Sequence, residues 1–372
     1  MHSRLRIINF TRNIKGKKVA GESISVNTLT SMLKDREHNV LTISVEKENI
    51  RENGFIGIKA TTRPILPKID TVISSLELYR QHKNTIDDVF KEFKPDLCIY
   101  RKEASYLACR IAKKHKVPSI LKLYDYEFYY GNLPNGWNPR FNILLHIPIP
   151  FYKYICDYIL NNTSLIIGNS NRTANLYSRI TNNAHIYGIP SFIDISDVKP
   201  LDIVGSRIVH ITPSKNKGID ITLDVAESLP DKDFLIIGQM KGWNAKDTYK
   251  RINDISNVDY IGYVANIEDI YKKAYIILMP SLDEGYGRIP IEAGAYGIPT
   301  ITSGNGGLIE SSVPQLVVKS NDKSCYIDKI KEVENDYNNY RALSIENARK
   351  KCSDVSFEMF MNVVYNTLGI SL

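Results

Sequence analysis

The stretch that decides the fold of this chain spans Tyr275–Ser303 and reads YIILMPSLDEGYGRIPIEAGAYGIPTITS. Its first five residues form a short apolar run typical of a buried strand, and its last residues begin another such run. Between the two runs, Gly285 and Gly287 predict a tight turn. Pro290 suits the first turn of a helix, and Gly297 suits its end. The stretch therefore predicts a strand, a turn, a helix and a second strand, the unit in which α/β proteins bind phosphorylated ligands.

Two glutamates, Glu284 and Glu292, lie in this unit and are separated by seven residues. Glu284 precedes a helix predicted from about Arg288 to Tyr296, and Glu292 lies in the early part of that helix. Backbone N–H groups from Tyr286 to Ile289 would point at an anion, which the helix dipole also attracts. The two acids could contact different parts of one elongated ligand, such as a nucleotide-sugar. The alternative is that Glu292 is a solvated helix residue and Glu284 a capping charge.

The full pattern is Pro280-Ser-x-x-Glu-Gly-Tyr-Gly-x-x-Pro-x-Glu-Ala-x-x-x-Gly-x-Pro299. It resembles the Glu-x7-Glu signature of the family-4 (group 1) retaining glycosyltransferases, and the resemblance extends over nearly the whole chain. It implies an α/β chain of the GT-B fold, with two Rossmann-like domains facing a cleft and a C-terminal helix that crosses back to the first domain. It also implies that Glu292 holds ribose hydroxyls of the donor and that Glu284 holds the donor sugar. The other donor-binding residues that it implies in this stretch are Gly285, Tyr286, Gly287, Arg288 and Ile289.

A second element is the strand and turn Ile208-Val-His-Ile-Thr-Pro-Ser-Lys-Asn-Lys-Gly-Ile-Asp220. Lys217 stands beside the glycine that opens the next helix, where an ammonium group can lie next to a diphosphate. The resemblance makes Lys217 a catalytic residue that stabilises the departing diphosphate. The family usually carries an arginine five residues before this lysine, and Thr212 stands there instead. Lys215 and Arg288 are the candidates for the missing cation.

Two loops in the first half resemble the family only in part. Lys15–Ser25 retains one glycine, Gly21, of the adjacent pair that usually approaches the donor phosphate, and Gly21 equally suits the start of a helix. In Lys122–Glu127, Tyr124 replaces the usual histidine, and Asp125 matches the acid that faces the reacting sugar. As a catalytic residue, Asp125 would orient the acceptor hydroxyl or accept its proton; the alternative is that it caps the following segment.

Two further segments complete the candidate regions. Tyr260-Ile-Gly-Tyr-Val264 resembles the strand end that packs against the nucleotide base, which makes Tyr263 and Val264 donor-binding candidates. Phe141–Leu160 is rich in apolar and aromatic residues, so it could rest at a membrane interface near a lipid-linked acceptor. Its prolines interrupt any long amphipathic helix, which favours a helix buried on the first sheet.

Strand-like runs alternate with helical patterns in both halves of the chain, which predicts two parallel sheets with crossover helices. At 372 residues the chain is long enough for two domains. A stretch at 190–206 punctuated by prolines divides an acceptor-side domain at 1–193 from a nucleotide-sugar-binding domain at 205–352. A helix at 353–372 either crosses back to the first domain or caps its own. The strands are predicted at Leu5–Phe10, Val40–Val45, Asp96–Tyr100, Ser119–Leu123, Ser164–Gly168, Ala184–Tyr187, Arg207–Thr212, Asp233–Ile237, Val258–Ile261, Tyr275–Met279, Thr300–Ser303 and Gln315–Val318.

Composition limits the classes of function that remain. The chain carries a formal net charge of +7, but its basic residues are spread along it and no nucleic-acid-binding motif occurs, which argues against nucleic acid as a partner. The five cysteines show no Cys-x-x-Cys pair, as expected for thiols in a reducing compartment. No signal peptide or transmembrane run is apparent, so we expect a cytoplasmic protein, at most at the inner face of the membrane. No cofactor is predicted, and no Asp-x-Asp metal site is present.

These features together predict a metal-independent retaining glycosyltransferase of the hexosyltransferase type. It would move a sugar from a nucleotide-diphospho-sugar to the hydroxyl of a glycan or lipid-linked acceptor, in cell-surface glycan or glycolipid synthesis. One alternative is a nucleotide-sugar epimerase on the same fold. The other is a subunit that binds nucleotide-sugar without turnover, which Thr212, the single Gly21 and Tyr124 favour.

Overall fold

The computed structural model describes residues 4–12, 21–59, 67–124, 128, 149–240, 245–264 and 266–372. The chain divides into two compact units: the N-terminal unit is Met1–Phe192 with Ser356–Leu372, and the C-terminal unit is Ile193–Val355. Each unit contains one largely parallel sheet with helices packed against it. The alternation of strand and helix patterns in the sequence predicted this architecture.

The sheet of the N-terminal unit has the strand order β3-β4-β2-β1-β5-β6-β7-β8, and its neighbouring strands are parallel except β3 and β4. Strands β1 to β8 span, in chain order, Arg6–Arg12, Asn39–Glu46, Ile50–Glu52, Phe55–Lys59, Leu97–Tyr100, Ser119–Leu123, Leu165–Gly168 and Ile186–Gly188. Buried parallel strands read as continuous apolar runs, and for this reason the predicted strands of this half coincide with observed ones to within two residues.

The hairpin β3–β4 was missed by the sequence prediction. Its turn contains Asn53-Gly54, with Gly54 at φ +72°, a dipeptide and a conformation typical of two-residue hairpin turns. The two strands are short and lie at the edge of the sheet, where polar residues interrupt any apolar run. The Asn53-Gly54 dipeptide was therefore the sequence feature from which the hairpin could have been predicted.

The sheet of the C-terminal unit has the order β11-β10-β9-β12-β13, and all its pairs are parallel. Strands β9 to β13 span Arg207–Ile211, Phe234–Ile237, Val258–Ile261, Ala274–Met279 and Thr300–Thr302. The predicted strand Gln315–Val318 is wrong: a 3₁₀ turn occupies Pro314–Leu316, and only Val317 forms a bridge, to Thr302. Pro314 has no N–H to donate and favours the first position of such a turn.

The helices of the described residues begin and end at sequence signals in several places. Ser170 accepts a hydrogen bond from the N–H of Thr173, and Asp322 does the same for Ser324, as N-cap residues do. Helices α1 to α13 span Gly21–Asp35, Pro67–Phe93, Ser105–Lys114, Ile149–Asn162, Asn171–Tyr177, Ile219–Ser228, Ala245–Asp254, Glu268–Tyr271, Ile289–Ala295, Leu308–Ser311, Lys323–Asn335, Tyr337–Lys350 and Ser353–Leu368.

The last helix, α13, contributes to the core of the N-terminal unit. Its residues Phe357, Phe360 and Val364 are buried in one cluster with Ile7 of β1 and Leu29 of α1. The helix therefore packs on the first sheet, as the resemblance implied, and does not simply cap the unit that precedes it.

Helix α4 covers the part of Phe141–Leu160 that the structure describes, while residues 141–148 lie outside the described residues. Ile155, Cys156 and Ile159 are buried in a core cluster with strand residues such as Ile166. This is the buried-helix interpretation of the segment. Among the described helices, none is both long enough and apolar enough to cross a membrane.

The C-terminal unit places its candidate residues at one edge of its sheet. Strands β9 and β12 are neighbours at its centre, with β10 and β13 beside them. In a parallel sheet the carboxyl ends of the strands share one edge, so the turns after these strands lie close together. The turn that contains Lys215 and Lys217 follows β9, and the turn that contains Glu284 follows β12.

Candidate active site

The turns after β9 and β12 are joined by their backbones. Lys215–Lys217 forms one turn of 3₁₀ helix and ends at Gly218, which has φ +74°. A Cβ at Gly218 would collide with the carbonyl oxygen of Pro280, so this position requires glycine. The N–H of Leu282 donates to the carbonyl of Asn216 at 2.9 Å. Close approach of the two backbones brings their side chains into contact.

Lys217 and Glu284 form an ion pair across these turns. The Lys217 Nζ donates to Glu284 Oε1, and the hydroxyl of Ser281 donates to the same oxygen at 3.0 Å. The Glu284 side chain is 11% exposed. The structure thus joins two residues that the sequence placed in separate motifs, and it adds Ser281. The pair keeps a half-buried ammonium and a nearly buried carboxylate from being unpaired.

Glu292 is held by two partners, one on each carboxylate oxygen. Arg288 Nε donates to Oε1 at 2.8 Å, four residues away on the same turn of chain. The hydroxyl of Tyr271 donates to Oε2 at 3.0 Å. The sequence pointed to Glu292 and Arg288, but it gave no sign of Tyr271, which precedes β12 and belongs to no motif.

The glycine-rich turn between the two acids follows its predicted geometry. Gly287 has φ +87°, and a Cβ there would lie 2.6 Å from Leu308 Cδ1. The side chain of Tyr286 is buried in a core cluster with Ile291, and this burial raises the pKa of its phenol. Tyr286 can therefore contact a ligand only through its backbone. The helix after the turn, α9, spans Ile289–Ala295, slightly shorter than predicted.

The glycine pair Gly306-Gly307, for which the sequence predicted no role, contacts the backbone carbonyl of Glu284. The N–H of Gly307 donates to the carbonyl of Glu284 at 2.8 Å. Gly306 has φ +68°, and a Cβ there would collide with the same carbonyl oxygen. The loop after β13 therefore fixes the backbone that carries Glu284.

The two other residues discussed for the diphosphate differ in their surroundings. Lys215 is exposed, and its Nζ lies 4.0 Å from a carboxylate oxygen of Asp220. Thr212, at the position of the family's arginine, is exposed and has φ +72°. A β-branched residue rarely adopts this left-handed conformation, because its Cβ crowds the backbone.

A buried histidine, His210, contacts the backbone of this strained turn. His210 Nδ1 lies 2.8 Å from the Thr222 hydroxyl, and Nε2 lies 3.3 Å from the Thr212 carbonyl oxygen. Burial lowers the pKa of His210 to about 4, against the opposing effect of the Thr212 carbonyl, so the ring is neutral at pH 7. The neutral tautomer with its proton on Nε2 donates to Thr212 and accepts from Thr222.

We expect Thr212→Gly to stabilise the protein, because glycine relieves the strain of positive φ. The strain costs about 1–2 kcal/mol, and glycine's greater freedom in the unfolded chain offsets about 0.4–1 kcal/mol of the gain. Urea unfolding should therefore show a net increase of about 0.5–1 kcal/mol. Thr212→Ala, which keeps the Cβ, is the control. Equal stability of the two variants would mean that the turn is not strained.

The ends of β10 and β11 carry the remaining donor-binding candidates. Gly238 has φ +111° and accepts a hydrogen bond from the Tyr260 hydroxyl at 2.9 Å. Tyr263 is 50% exposed, whereas Val264 is partly buried against a core cluster. Tyr263 is thus the more exposed of the two candidates, and Val264 mainly packs.

The candidates from the first half of the chain, the donor-binding Gly21 and the catalytic Asp125, belong to the N-terminal unit. Gly21 is the first residue of α1, and Asp125 lies outside the described residues. The ring of Tyr124 lies 5.6 Å from the guanidinium of Arg101 and 5.7 Å from the ammonium of Lys122. Both cations are buried, and sequence reasoning assigned neither a role. The sequence feature that could have identified them is a basic residue at, or just after, the end of a buried strand.

Within the part of the chain that the structure describes, no group of three or more histidine, cysteine, aspartate or glutamate side chains is arranged to hold a metal ion.

Comparison with known proteins shows which family the segment that carries the site resembles. Residues 212–351 match the family model of the group 1 glycosyl transferases, and this segment includes Lys217, Glu284 and Glu292. One relative is the Campylobacter jejuni enzyme named GalNAc-alpha-(1->4)-GalNAc-alpha-(1->3)-diNAcBac-PP-undecaprenol alpha-1,4-N-acetyl-D-galactosaminyltransferase. It is 27% identical over 283 residues, which cover 71% of this chain and 72% of the relative.

Two solved structures resemble nearly the whole chain. Sucrose-phosphate synthase from Thermosynechococcus elongatus has a TM-score of 0.74 at 15% identity, covering 98% of this chain and 99% of that chain. HepE from Anabaena, in complex with UDP-glucose, has a TM-score of 0.70 at 12% identity, covering 98% and 100%. At such identities the similarity shows the fold, which is the GT-B fold that the sequence resemblance implied.

Proposed function

We propose that this chain, whose residues 212–351 match the family model of the group 1 glycosyl transferases, moves a sugar from a nucleotide-diphospho-sugar to an acceptor hydroxyl with retention of configuration. The observation that carries the proposal is the pairing of Lys217 with Glu284 and of Arg288 with Glu292 at the carboxyl edge of one parallel sheet. Two acids and two cations there match the hydroxyls and phosphates of such a donor.

Each residue has a distinct part in this proposal. Glu292 accepts hydrogen bonds from the ribose hydroxyls, and Glu284 accepts them from the donor sugar. Lys217 turns from Glu284 to the diphosphate, with Lys215 and Arg288 as the further cations near it. The N–H groups at the start of α9 add to the attraction for anionic oxygens.

The reaction then follows from this charge distribution. The bond between the anomeric carbon and the β-phosphate oxygen breaks, and its electron pair stays with the diphosphate, where Lys217 stabilises the developing charge. The acceptor oxygen forms the new bond to the anomeric carbon on the face that the diphosphate leaves. Asp125 is the candidate for accepting the acceptor's proton. Side chains and helix N–H groups supply the positive charge, so the proposed reaction is metal-independent.

The relatives suggest the substrate classes. HepE is described in complex with UDP-glucose, which makes UDP-hexoses the first donors to test. The Campylobacter relative is named for an acceptor glycan on undecaprenol diphosphate. We therefore propose a hexosyltransferase that extends a lipid-linked or cell-surface glycan from the cytoplasmic face of the membrane.

Replacing Glu292 by alanine tests the donor site. Hydrogen bonds to a charged carboxylate contribute about 1.5–3 kcal/mol, so nucleoside diphosphate affinity should fall roughly 10- to 100-fold. Isothermal titration with UDP, GDP and ADP measures this. Glu268→Ala, at a partly exposed glutamate paired with Lys272, is the control. Unchanged affinity in a folded Glu292→Ala protein would remove Glu292 from the site.

A second candidate function is that of a subunit that binds nucleotide-sugar without turnover. It is favoured by Thr212, which stands where the family usually has an arginine. Incubation with UDP-glucose, with and without lipid-linked glycan extracts, separates the candidates. Transfer or slow donor hydrolysis indicates the transferase. Interconversion of the donor sugar alone would indicate an epimerase, and tight binding without turnover would indicate the binding subunit.

A further inference from the structure

Tyr271 is a buried tyrosine whose hydroxyl reaches into the proposed donor site. Its side chain is 1% exposed, and its hydroxyl donates to Glu292 Oε2 at 3.0 Å. The Tyr271 ring packs on the ring of Tyr296, with centroids 5.2 Å apart and planes tilted by 32°. Burial raises the pKa of the Tyr271 phenol, and the nearby Glu292 carboxylate raises it further, so the hydroxyl keeps its proton and remains a donor.

The two hydrogen-bond donors to Glu292 come from segments on either side of β12 in the sequence. Tyr271 ends α8, just before β12, while Arg288 immediately precedes α9, after β12. Tyr271 shares a core cluster with Ala293 and Ile298 on either side of α9's end, so packing fixes its position relative to that helix. The glutamate's terminal torsion is soft by itself. Two donors on two different oxygens define the plane of the carboxylate.

An ionised carboxylate offers about four lone-pair sites, two on each oxygen. Arg288 uses one site on Oε1, and Tyr271 uses one on Oε2. One site therefore remains on each oxygen, both in the plane that the two donors set. Two acceptor sites side by side match two neighbouring hydroxyl groups on one ring, which is the arrangement in ribose.

We propose that Tyr271 is a positioning residue that orients Glu292 for both hydroxyls of a ribose, and so sets the preference of the site for ribonucleotides. The inference rests on the proposed function, because it needs Glu292 to bind the donor's ribose. Tyr271 acts through Glu292 and does not itself contact the ligand.

Tyr271→Phe removes the hydroxyl and keeps the buried ring. The probe is whichever of UDP, GDP and ADP binds the wild type most tightly, together with its 2′,3′-dideoxy analogue. We expect the affinity for the ribonucleotide to fall about tenfold, as for loss of one hydrogen bond to a charged group, while the affinity for the dideoxy analogue stays the same. The preference for ribose should shrink accordingly. A partly unfolded variant would lower both affinities alike, so the ratio reports orientation alone.

Two controls separate this role from a merely structural one. Tyr296→Phe removes the hydroxyl from the ring that packs against Tyr271 and should leave the ribose preference unchanged. In a Glu292→Ala background, Tyr271→Phe should have no further effect, since its partner is gone. A full tenfold effect in that background, or an unchanged ribose preference in Tyr271→Phe alone, would overturn the inference. A wild type that binds none of the three nucleotides would instead refute the proposed function.

Discussion

Glu284→Ala should lower sugar transfer by about 100-fold or more while leaving nucleoside diphosphate affinity nearly unchanged. The variant removes the acceptor for the donor sugar's hydroxyls and also the partner that holds the Lys217 ammonium in place. The first loss acts on the sugar being transferred and the second on the charge that develops on the departing diphosphate in the transition state, whereas ribose binding by Glu292 is untouched. Steady-state kinetics with the active donor and titration with its nucleoside diphosphate measure the two quantities separately.

Glu346→Ala is the matched control for this prediction. Glu346 also pairs with a lysine, Lys350, but both side chains are exposed on α12. Its loss should change neither transfer nor affinity, since exposed pairs contribute little. If Glu284→Ala lost nucleotide affinity and kept transfer of a saturating donor, the roles of Glu284 and Glu292 would be exchanged.

Lys122→Met should stabilise the protein near neutral pH by roughly 3 kcal/mol. Lys122 is 2% exposed on β6, and within the described residues its Nζ has no hydrogen-bond partner. Burial lowers its pKa from 10.5 to about 7, which corresponds to a cost of roughly 5 kcal/mol for the charged form. The ammonium lies 4.6 Å from the centroid of Phe192, and this cation–π contact offsets about 2 kcal/mol. Methionine fills a similar volume without a charge.

The same substitution should change how stability depends on pH. Because the pKa of Lys122 is lower in the folded protein, the unfolded chain binds the extra proton between about pH 7 and 10.5. Wild-type stability therefore rises with pH across this window through Lys122, by up to about 1.4 kcal/mol per pH unit. The gain from Lys122→Met should be largest below pH 7 and should shrink towards pH 10.

Urea unfolding of wild type and Lys122→Met at several pH values between 6.5 and 9.5 tests both statements. Lys34→Met, at an exposed position in the last turn of α1, is the control and should leave the pH dependence unchanged. A Lys122→Met protein that is less stable than wild type at pH 7 would mean that the ammonium is stabilised in the folded state.

Most of the fold could be predicted from the sequence because its strands are buried on both faces. Such strands read as uninterrupted apolar runs, as Ala274–Met279 does, and helices separate them at regular intervals. The failures occurred where this rule does not apply. The edge hairpin of β3 and β4 has short, mixed strands, and at Gln315–Val318 an apolar run follows Pro314, which starts a 3₁₀ turn instead.

The candidate site was only partly predictable. Glu284, Glu292 and Lys217 lie in local motifs whose glycines and prolines fix the backbone, so their importance is visible in the sequence. Tyr271 and Ser281 act as hydrogen-bond donors to those acids. Ser281 stands in the same motif as Glu284 but had no predicted role, and nothing in the sequence around Tyr271 marks it. The partner of a buried carboxylate is set by three-dimensional packing rather than by local pattern.

By itself, then, the sequence determined the strand–turn–helix unit after β12 and the two glutamates that it carries. It did so because φ > 0 at Gly287 and the helix start at Pro290 are local requirements. Only the tertiary structure decided which cation pairs with which acid. Lys217 meets Glu284 across 67 residues because parallel strands bring the two turns to one edge of the sheet, where the backbones of Asn216 and Leu282 join.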